Sequence, residues 1–207
     1  WGVAYAIGPN DNKSWKHFDE AEMPEMLSQA RAALVLARTA ASHGSGVEQA
    51  LVAALSDRFQ ADSAVADMAP WSDAYAVAMR RVFQQFPEDL DVIMLCVDAM
   101  MNRTPWLMWD LCEGVPNPDA DTVECRQMLE TQIASIRAES GSFHPGIWHL
   151  YVHLMEMSPE PEKALRVADE LRGLVPDAGH LEHMSTHIYV LCGDYQAVVA
   201  ANHAGIV

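Results

Sequence analysis

The sequence predicts an all-α fold, built as an α-solenoid of antiparallel helix pairs with about nine helices. Three observations carry this expectation. Ala, Leu, Met, Glu and Gln dominate segments whose apolar residues recur at helical spacing. Alternating runs of Val, Ile and Thr, the mark of strands, are nearly absent. Finally, His149-Leu-Tyr-Val-His153 is echoed thirty-four residues later by His183-Met-Ser-Thr-His187, and a fixed period of that length is the signature of stacked helical hairpins.

The helices follow in order. From about Ala21 to Ser42, Met26, Ala30, Ala33, Leu34, Leu36 and Ala37 recur at helical spacing, and Gly44 ends the stretch. Further helices are expected over Val47–Phe59, over Trp71–Phe86 ahead of Pro87, and over Leu90–Met101. Thr104-Pro105 has the form of an N-cap followed by proline in the first turn, so a short helix through Cys112 is expected. After the loop holding Pro116 and Pro118, a long helix runs from Asp121 or Thr122 to about Ser140. Ile147–Met157, Pro161–Leu174, Ala178–Cys192 and Asp194–Val207 complete the set. Connections are short and none resembles a linker, so residues 1–207 read as a single helical-repeat domain. The pattern is already under way at Trp1 and still running at Val207, which suggests a segment of a longer chain.

Composition narrows function. Thirteen Lys and Arg against 29 Asp and Glu leave a net charge of −16, which repels phosphate backbones and anionic lipid. Nucleic acid is therefore not an expected partner; the charge suits solubility, a cation or a basic partner, and most of these carboxylates read as a solvated surface. The longest apolar run, Val92–Met101, contains Asp98 and is too short to span a bilayer. The four cysteines, Cys96, Cys112, Cys125 and Cys192, include no Cys-x-x-Cys pair, which removes zinc ribbons and thioredoxin-like sites. Cys96 reads as a buried thiol, whereas Cys112 and Cys125 flank a loop and are spaced for pairing in an oxidising compartment. Asn12 and Asn102 head glycosylation sequons. Together these features leave a soluble chain, cytoplasmic or secreted.

The self-match near the C-terminus gives the repeat register, clearest over 147–180 and 181–207. Pro176 closes the first unit, Gly193-Asp194-Tyr195 sits at the inter-helix turn of the second, Ala164 and Ala168 occupy small-residue positions, and Tyr189 occupies an aromatic one. The runs His144-Pro-Gly-Ile-Trp-His149-Leu-Tyr-Val-His153 and Gly179-His180-Leu-Glu-His183-Met-Ser-Thr-His187-Ile-Tyr resemble a tetratricopeptide-repeat subfamily of bacteria and some eukaryotes. Trp1-Gly-Val-Ala-Tyr-Ala and Trp71-Ser-Asp-Ala-Tyr-Ala resemble it too, so the likeness covers most of the chain. Ser185 stands where the subfamily usually carries proline. The resemblance implies a fold more firmly than an activity. In such repeats the first helices of successive units lie side by side and line a concave groove that holds a peptide or partner protein.

The histidines are the candidate site. Residues four apart on a helix lie about 40° apart around its axis. His149, His153 and Glu156 therefore form one stripe, and His180, His183 and His187 another. The repeat register aims both into the same groove, about 8–10 Å apart. Imidazoles at this spacing suit zinc, copper, nickel or iron, with His149, His153, His183 and His187 as ligands and Glu156 and His180 as further candidates. Glu156 is also placed to act as an orienting group or general base. His-Glu-x-x-His is absent, so the metalloprotease motif is not present. The same six residues serve equally as a partner-binding surface, with histidines that hydrogen-bond a peptide or neighbouring helices.

Other candidates carry less. His17, His43 and His203 are isolated, and His144 before Pro145 reads as a helix cap. Asn117, Asp119 and Asp121 alternate like a calcium loop, but Thr122 stands where its glycine belongs and Met128 where its glutamate belongs, so an EF-hand is rejected. Met94, Met100, Met101, Met155 and Met157 read as core filler, and Trp106, Trp109 and Trp148 as wedges between helices. The sequence thus places a binding or scaffolding repeat protein first and a metal-binding protein or metal-dependent enzyme second. A protein that assembles by end-to-end repeat stacking comes third.

Overall fold

A computed structural model describes residues 1–139 and 143–205. The described residues are mostly helical, with ten α-helices, three 3-10 turns and a single pair of two-residue strands. None of these helices is long and apolar enough to cross a membrane. The expected helix end at Ser140, and the ends of the last helix and last repeat at Val207, lie outside the described residues. The chain divides into two compact units, Trp1–Pro105 and Trp106–Val207.

The first unit holds α1 (Gly2–Ile7), α2 (Glu22–Ala41), α3 (Gly46–Leu55), α4 (Ala69–Gln85) and α5 (Leu90–Met101). Each packs on the next. Local chemistry sets the helix ends. Ser45 and Glu48 form a reciprocal capping box at α3. The Asp89 side chain accepts the Val92 amide at 3.1 Å to open α5. Gln85 is the last residue of α4, with Phe86 already out of the helical region (φ −134°, ψ 62°) ahead of Pro87. Trp15 meets Phe59 and Trp71 edge-on, and its indole donates to Ser72 Oγ at 3.0 Å. Asp98, the charge inside the longest apolar run, is buried and accepts the Tyr5 hydroxyl at 2.9 Å. Burial and then this carboxylate push the Tyr5 hydroxyl well above the usual tyrosine range.

The second unit begins differently from expectation. Instead of a helix after Thr104-Pro105 there is a hairpin of β1 (Trp109–Asp110) and β2 (Val115–Pro116), paired Trp109 to Pro116. Trp106 has φ of +62° and breaks any helical start. Asp110 Oδ1 accepts the amides of Cys112 and Glu113, and Gly114 supplies the left-handed residue of the turn at φ +67°. Tertiary bonds fix this loop: Trp109 Nε1 donates to the Leu154 carbonyl at 2.7 Å, and Thr122 Oγ1 donates to the Met108 carbonyl. They outweigh the cap-and-proline signal.

Then come α6 (Thr122–Ala138), α7 (Pro145–Glu156), a 3-10 turn Pro161–Ala164 leading into α8 (Leu165–Leu171), α9 (Gly179–Leu191) and α10 (Tyr195–Ala204). The starts of α7 and α9 are thirty-four residues apart. α7 packs on α6, α8 and α9, while α9 packs on α7, α8 and α10. Ala164 and Ala168 are fully buried where these helices approach. Two aromatic side chains tie α7 and α9 to α8: Trp148 Nε1 donates to Glu170 Oε2 at 2.9 Å, and the Tyr189 hydroxyl to Asp169 at 2.7 Å. Ser185 is fully buried in α9 and donates to the Glu182 carbonyl at 3.1 Å.

Gly179 marks the closest approach, since a Cβ there would lie 2.4 Å from the Gly205 carbonyl oxygen. Gly179→Ala should therefore lower the denaturant midpoint, although alanine favours a helix by about 1 kcal/mol. An unchanged or raised midpoint would contradict so tight a contact. Trp148→Ala empties a fully buried position and should cost about 3–5 kcal/mol in the same assay.

Candidate metal centre

α7 and α9 bring the two predicted histidine stripes together. His149 Nε2 and His180 Nε2 stand 3.1 Å apart across the two helices. His183 Nε2 and His187 Nε2 face each other at 3.1 Å along α9. Between the helices, Glu156 accepts a hydrogen bond on each oxygen, from His153 Nδ1 at 2.8 Å and from His187 Nδ1. His153 is 4% exposed and forms the inner end of the cluster, with Glu156, His149 and His187 half-buried and His180 and His183 exposed.

Two groups are compact enough for an ion: His149, His153 and His180, and His153, Glu156 and His187, each with one donor atom per residue within 4.8 Å of the others. The ligand edge of a tetrahedral site with bonds of about 2.0–2.1 Å is about 3.4 Å, so a small relaxation suffices. The expected roles shift in one respect. His180, expected as an extra ligand, completes the triad with His149 and His153, whereas His183 pairs with His187 and lies outside both compact groups. The helical phase of α9 decides this, because His180 stands a turn nearer the helix start, opposite His149.

Charge favours ligation. Burial, then the neighbouring histidines, drive His149 down to about 3, so its ring is neutral at physiological pH. Burial, then His153, His183 and His187, lower His180 as well. Burial alone would raise Glu156, but hydrogen bonds from His153 and His187 overcome it and hold the carboxylate at about 2. His149 and His180 thus favour the neutral, metal-binding form, the Glu156 carboxylate stands behind the cluster, and the exposed rims of His180 and His183 leave a side open to water or substrate.

The remaining sequence candidates are distributed elsewhere. His144 caps α7, its Nδ1 accepting the Ile147 amide at 3.2 Å. His17, His43 and His203 are exposed. Trp109 and Trp148 are buried as expected, but Trp106 is 40% exposed and meets His153 edge-on at 6.4 Å. Sequence reasoning missed this neighbour because only the left-handed Trp106 backbone turns the ring there. It missed Asn202 as well, whose Oδ1 lies 2.7 Å from His183 Nδ1. Asn202 falls on α10 at no recognisable spacing from the histidines.

Three further expectations need correction or completion. Cys112 and Cys125 form no disulfide, Cys112 being exposed and Cys125 buried in α6. Asn102 is buried and its Nδ2 donates to the Asp98 carbonyl and carboxylate, so the folded chain has no room for a glycan there. Asn12 is exposed. Asn117 in the acidic loop uses its Oδ1 to accept the Asp119 amide at 3.0 Å, a local turn.

No family model, curated protein or solved structure matches the chain. Function therefore rests on the geometry of the cluster.

A pH dependence follows for the metal-stripped protein. His149 titrates at about 3 folded against an ordinary 6.5, so between these values the unfolded chain binds the extra proton. Stability is complete above 6.5 and falls as pH drops, with a slope of about 1.4 kcal/mol per pH unit for such a group. Glu156, held at about 2 against 4.5, adds stability that is lost only between those values. Urea unfolding between about pH 5 and 6.5 should show the histidine slope, and His149→Leu should remove about one proton from it.

Proposed function

We propose that the second unit is a tetratricopeptide-like pair of helical hairpins that binds a divalent transition metal through His149, His153 and His180. Glu156 orients His153. The observation that carries this reading is the convergence of one ring nitrogen from each of the three histidines within 4.8 Å. His153 commits its Nδ1–H to Glu156, which leaves the Nε2 lone pair as its donor. Structural histidines would direct their rings at backbone carbonyls, whereas His149 and His180 meet nitrogen to nitrogen. This reverses the order expected from sequence, where partner binding stood first.

An all-imidazole donor set favours zinc, copper, nickel or iron over magnesium and calcium, which take oxygen. Three ligands with an open side are the arrangement in which a metal activates water. A net charge of −16 adds a long-range attraction for cations.

A second reading, a partner-binding or end-to-end stacking surface, has one observation in its favour. Val190, Leu191, Tyr195 and Val199 on α9 and α10 are 45%, 52%, 67% and 70% exposed. Leu191→Asp with Val199→Asp should abolish any concentration-dependent association by size exclusion and leave metal content unchanged.

Elemental analysis of chelator-stripped protein reloaded with Zn(II) or Cu(II) tests the principal reading. At least one ion per chain is expected, and the double variant His149→Ala/His180→Ala should lose the ion held by that triad. Glu156→Gln should weaken affinity by about 10–100-fold, as the loss of an orienting carboxylate does. Saturation at about one hundred times Kd should stabilise the fold by about 2.7 kcal/mol. A protein that takes up neither metal refutes the reading.

A further inference from the structure

We infer that the cluster holds a second metal ion at the His183–His187 pair, so that the centre is dinuclear, with Glu156 behind one histidine of each site. This rests on the metal reading above and extends it to residues outside the first triad.

The argument is a proton inventory. A carboxylate or an amide oxygen accepts hydrogen bonds and donates none. His187 Nδ1 faces Glu156 Oε2, so it carries the proton of that contact. His183 Nδ1 faces Asn202 Oδ1 at 2.7 Å, so it carries one as well. The Thr186 hydroxyl stands farther from His183 Nδ1, at 3.5 Å. With Nδ1 as the protonated nitrogen of the imidazole, the other nitrogen, Nε2, is the one that offers a lone pair. Yet these two Nε2 atoms face each other at 3.1 Å. Two lone pairs repel at that distance unless a cation lies between or beside them. A metal ion satisfies all four nitrogens at once, with both Nδ1–H groups on oxygen and both Nε2 atoms on the ion. This is the arrangement in which an outer oxygen fixes the tautomer of a metal-binding histidine. The i,i+4 spacing on one helix supplies the two ligands, and the exposure of His183 leaves the rest of the coordination sphere to water or substrate.

The first triad and this pair remain distinct. The compact group around His149, His153 and His180 includes neither His183 nor His187. His153 and His187 each hold one oxygen of Glu156, and their ring centroids are 5.9 Å apart. One carboxylate thus orients a ligand in both sites, which makes Glu156 a positioning residue common to the two ions.

Equilibrium dialysis of chelator-stripped full chain against Cu(II), with electron paramagnetic resonance on the same samples, tests the inference. Two ions per chain with a spin-coupled signal are expected for the unaltered protein. His183→Ala/His187→Ala should keep one ion and show an isolated Cu(II) signal of full intensity. Asn202→Leu should weaken the second ion about tenfold and leave the first unchanged, a difference that a purely structural loss would not produce. Circular dichroism checks that each variant is folded. One ion in the unaltered protein, kept when His183 and His187 are removed, overturns the second site and assigns the contact to a shared proton. One ion lost in both this variant and His149→Ala/His180→Ala also overturns it, in favour of a single mixed site. No bound ion in any sample would instead sink the metal reading itself.

Discussion

Glu156 places one carboxylate oxygen on a histidine of its own helix and the other on a histidine of the neighbouring helix. It lies inside the packed α7–α9 contact, where burial opposes a charge, and the two N–H groups that meet it there outweigh that burial and hold its carboxyl below the usual range. That balance constrains everything around it. The two helices must keep their register, because a shift of one residue would carry His187 about 100° around its axis, away from the carboxylate. The rings of His153 and His187 must carry their protons on Nδ1. The nitrogens that remain offer lone pairs: that of His187 faces His183 Nε2 at 3.1 Å, and His153 lies grouped with His149 and His180, whose charging burial opposes. A carboxylate that settles tautomers in this way turns a group of histidines into a prepared donor set.

Register is maintained by packing some distance from the cluster. Trp148 and Tyr189, one on each of the two helices, donate to successive carboxylates of α8, Glu170 and Asp169. The Tyr151 hydroxyl reaches Glu130 on α6 at 3.0 Å. Ala164 and Ala168 let backbones approach, and Gly179 lies against Gly205 with no space for a side chain. Packing of this kind fixes the helices, and the histidines occupy what remains of their facing surfaces.

The first unit uses its own internal likeness differently. Trp1-Gly-Val-Ala-Tyr5-Ala and Trp71-Ser-Asp-Ala-Tyr75-Ala place two tyrosines around the buried guanidinium of Arg58, at 5.4 and 5.2 Å from the ring centroids. Arg58 also donates to the Pro9 carbonyl. The matched motifs therefore build a cation–aromatic core in this unit, whereas the matched histidines of the second unit build a candidate site.

Helical periodicity, the thirty-four-residue echo and the turn residues were enough to read the helical content and most helix positions, because each is a local property of spacing and backbone preference. They also nominated the histidines that α7 and α9 bring together, since i,i+4 residues share a helix face whatever that face meets. The short helix after Pro105 failed because Trp109, Thr122 and Asn117 form bonds to distant backbone that no local pattern encodes. Likewise, the choice of His180 over His183 for the triad, the approach of Trp106 to His153, and the bond from His183 to Asn202 all depend on how α9 is rotated against α7 and α10. Sequence determines which faces exist. Only tertiary packing decides which atoms on those faces meet, because a difference of a few ångströms separates a metal ligand from an ordinary surface histidine.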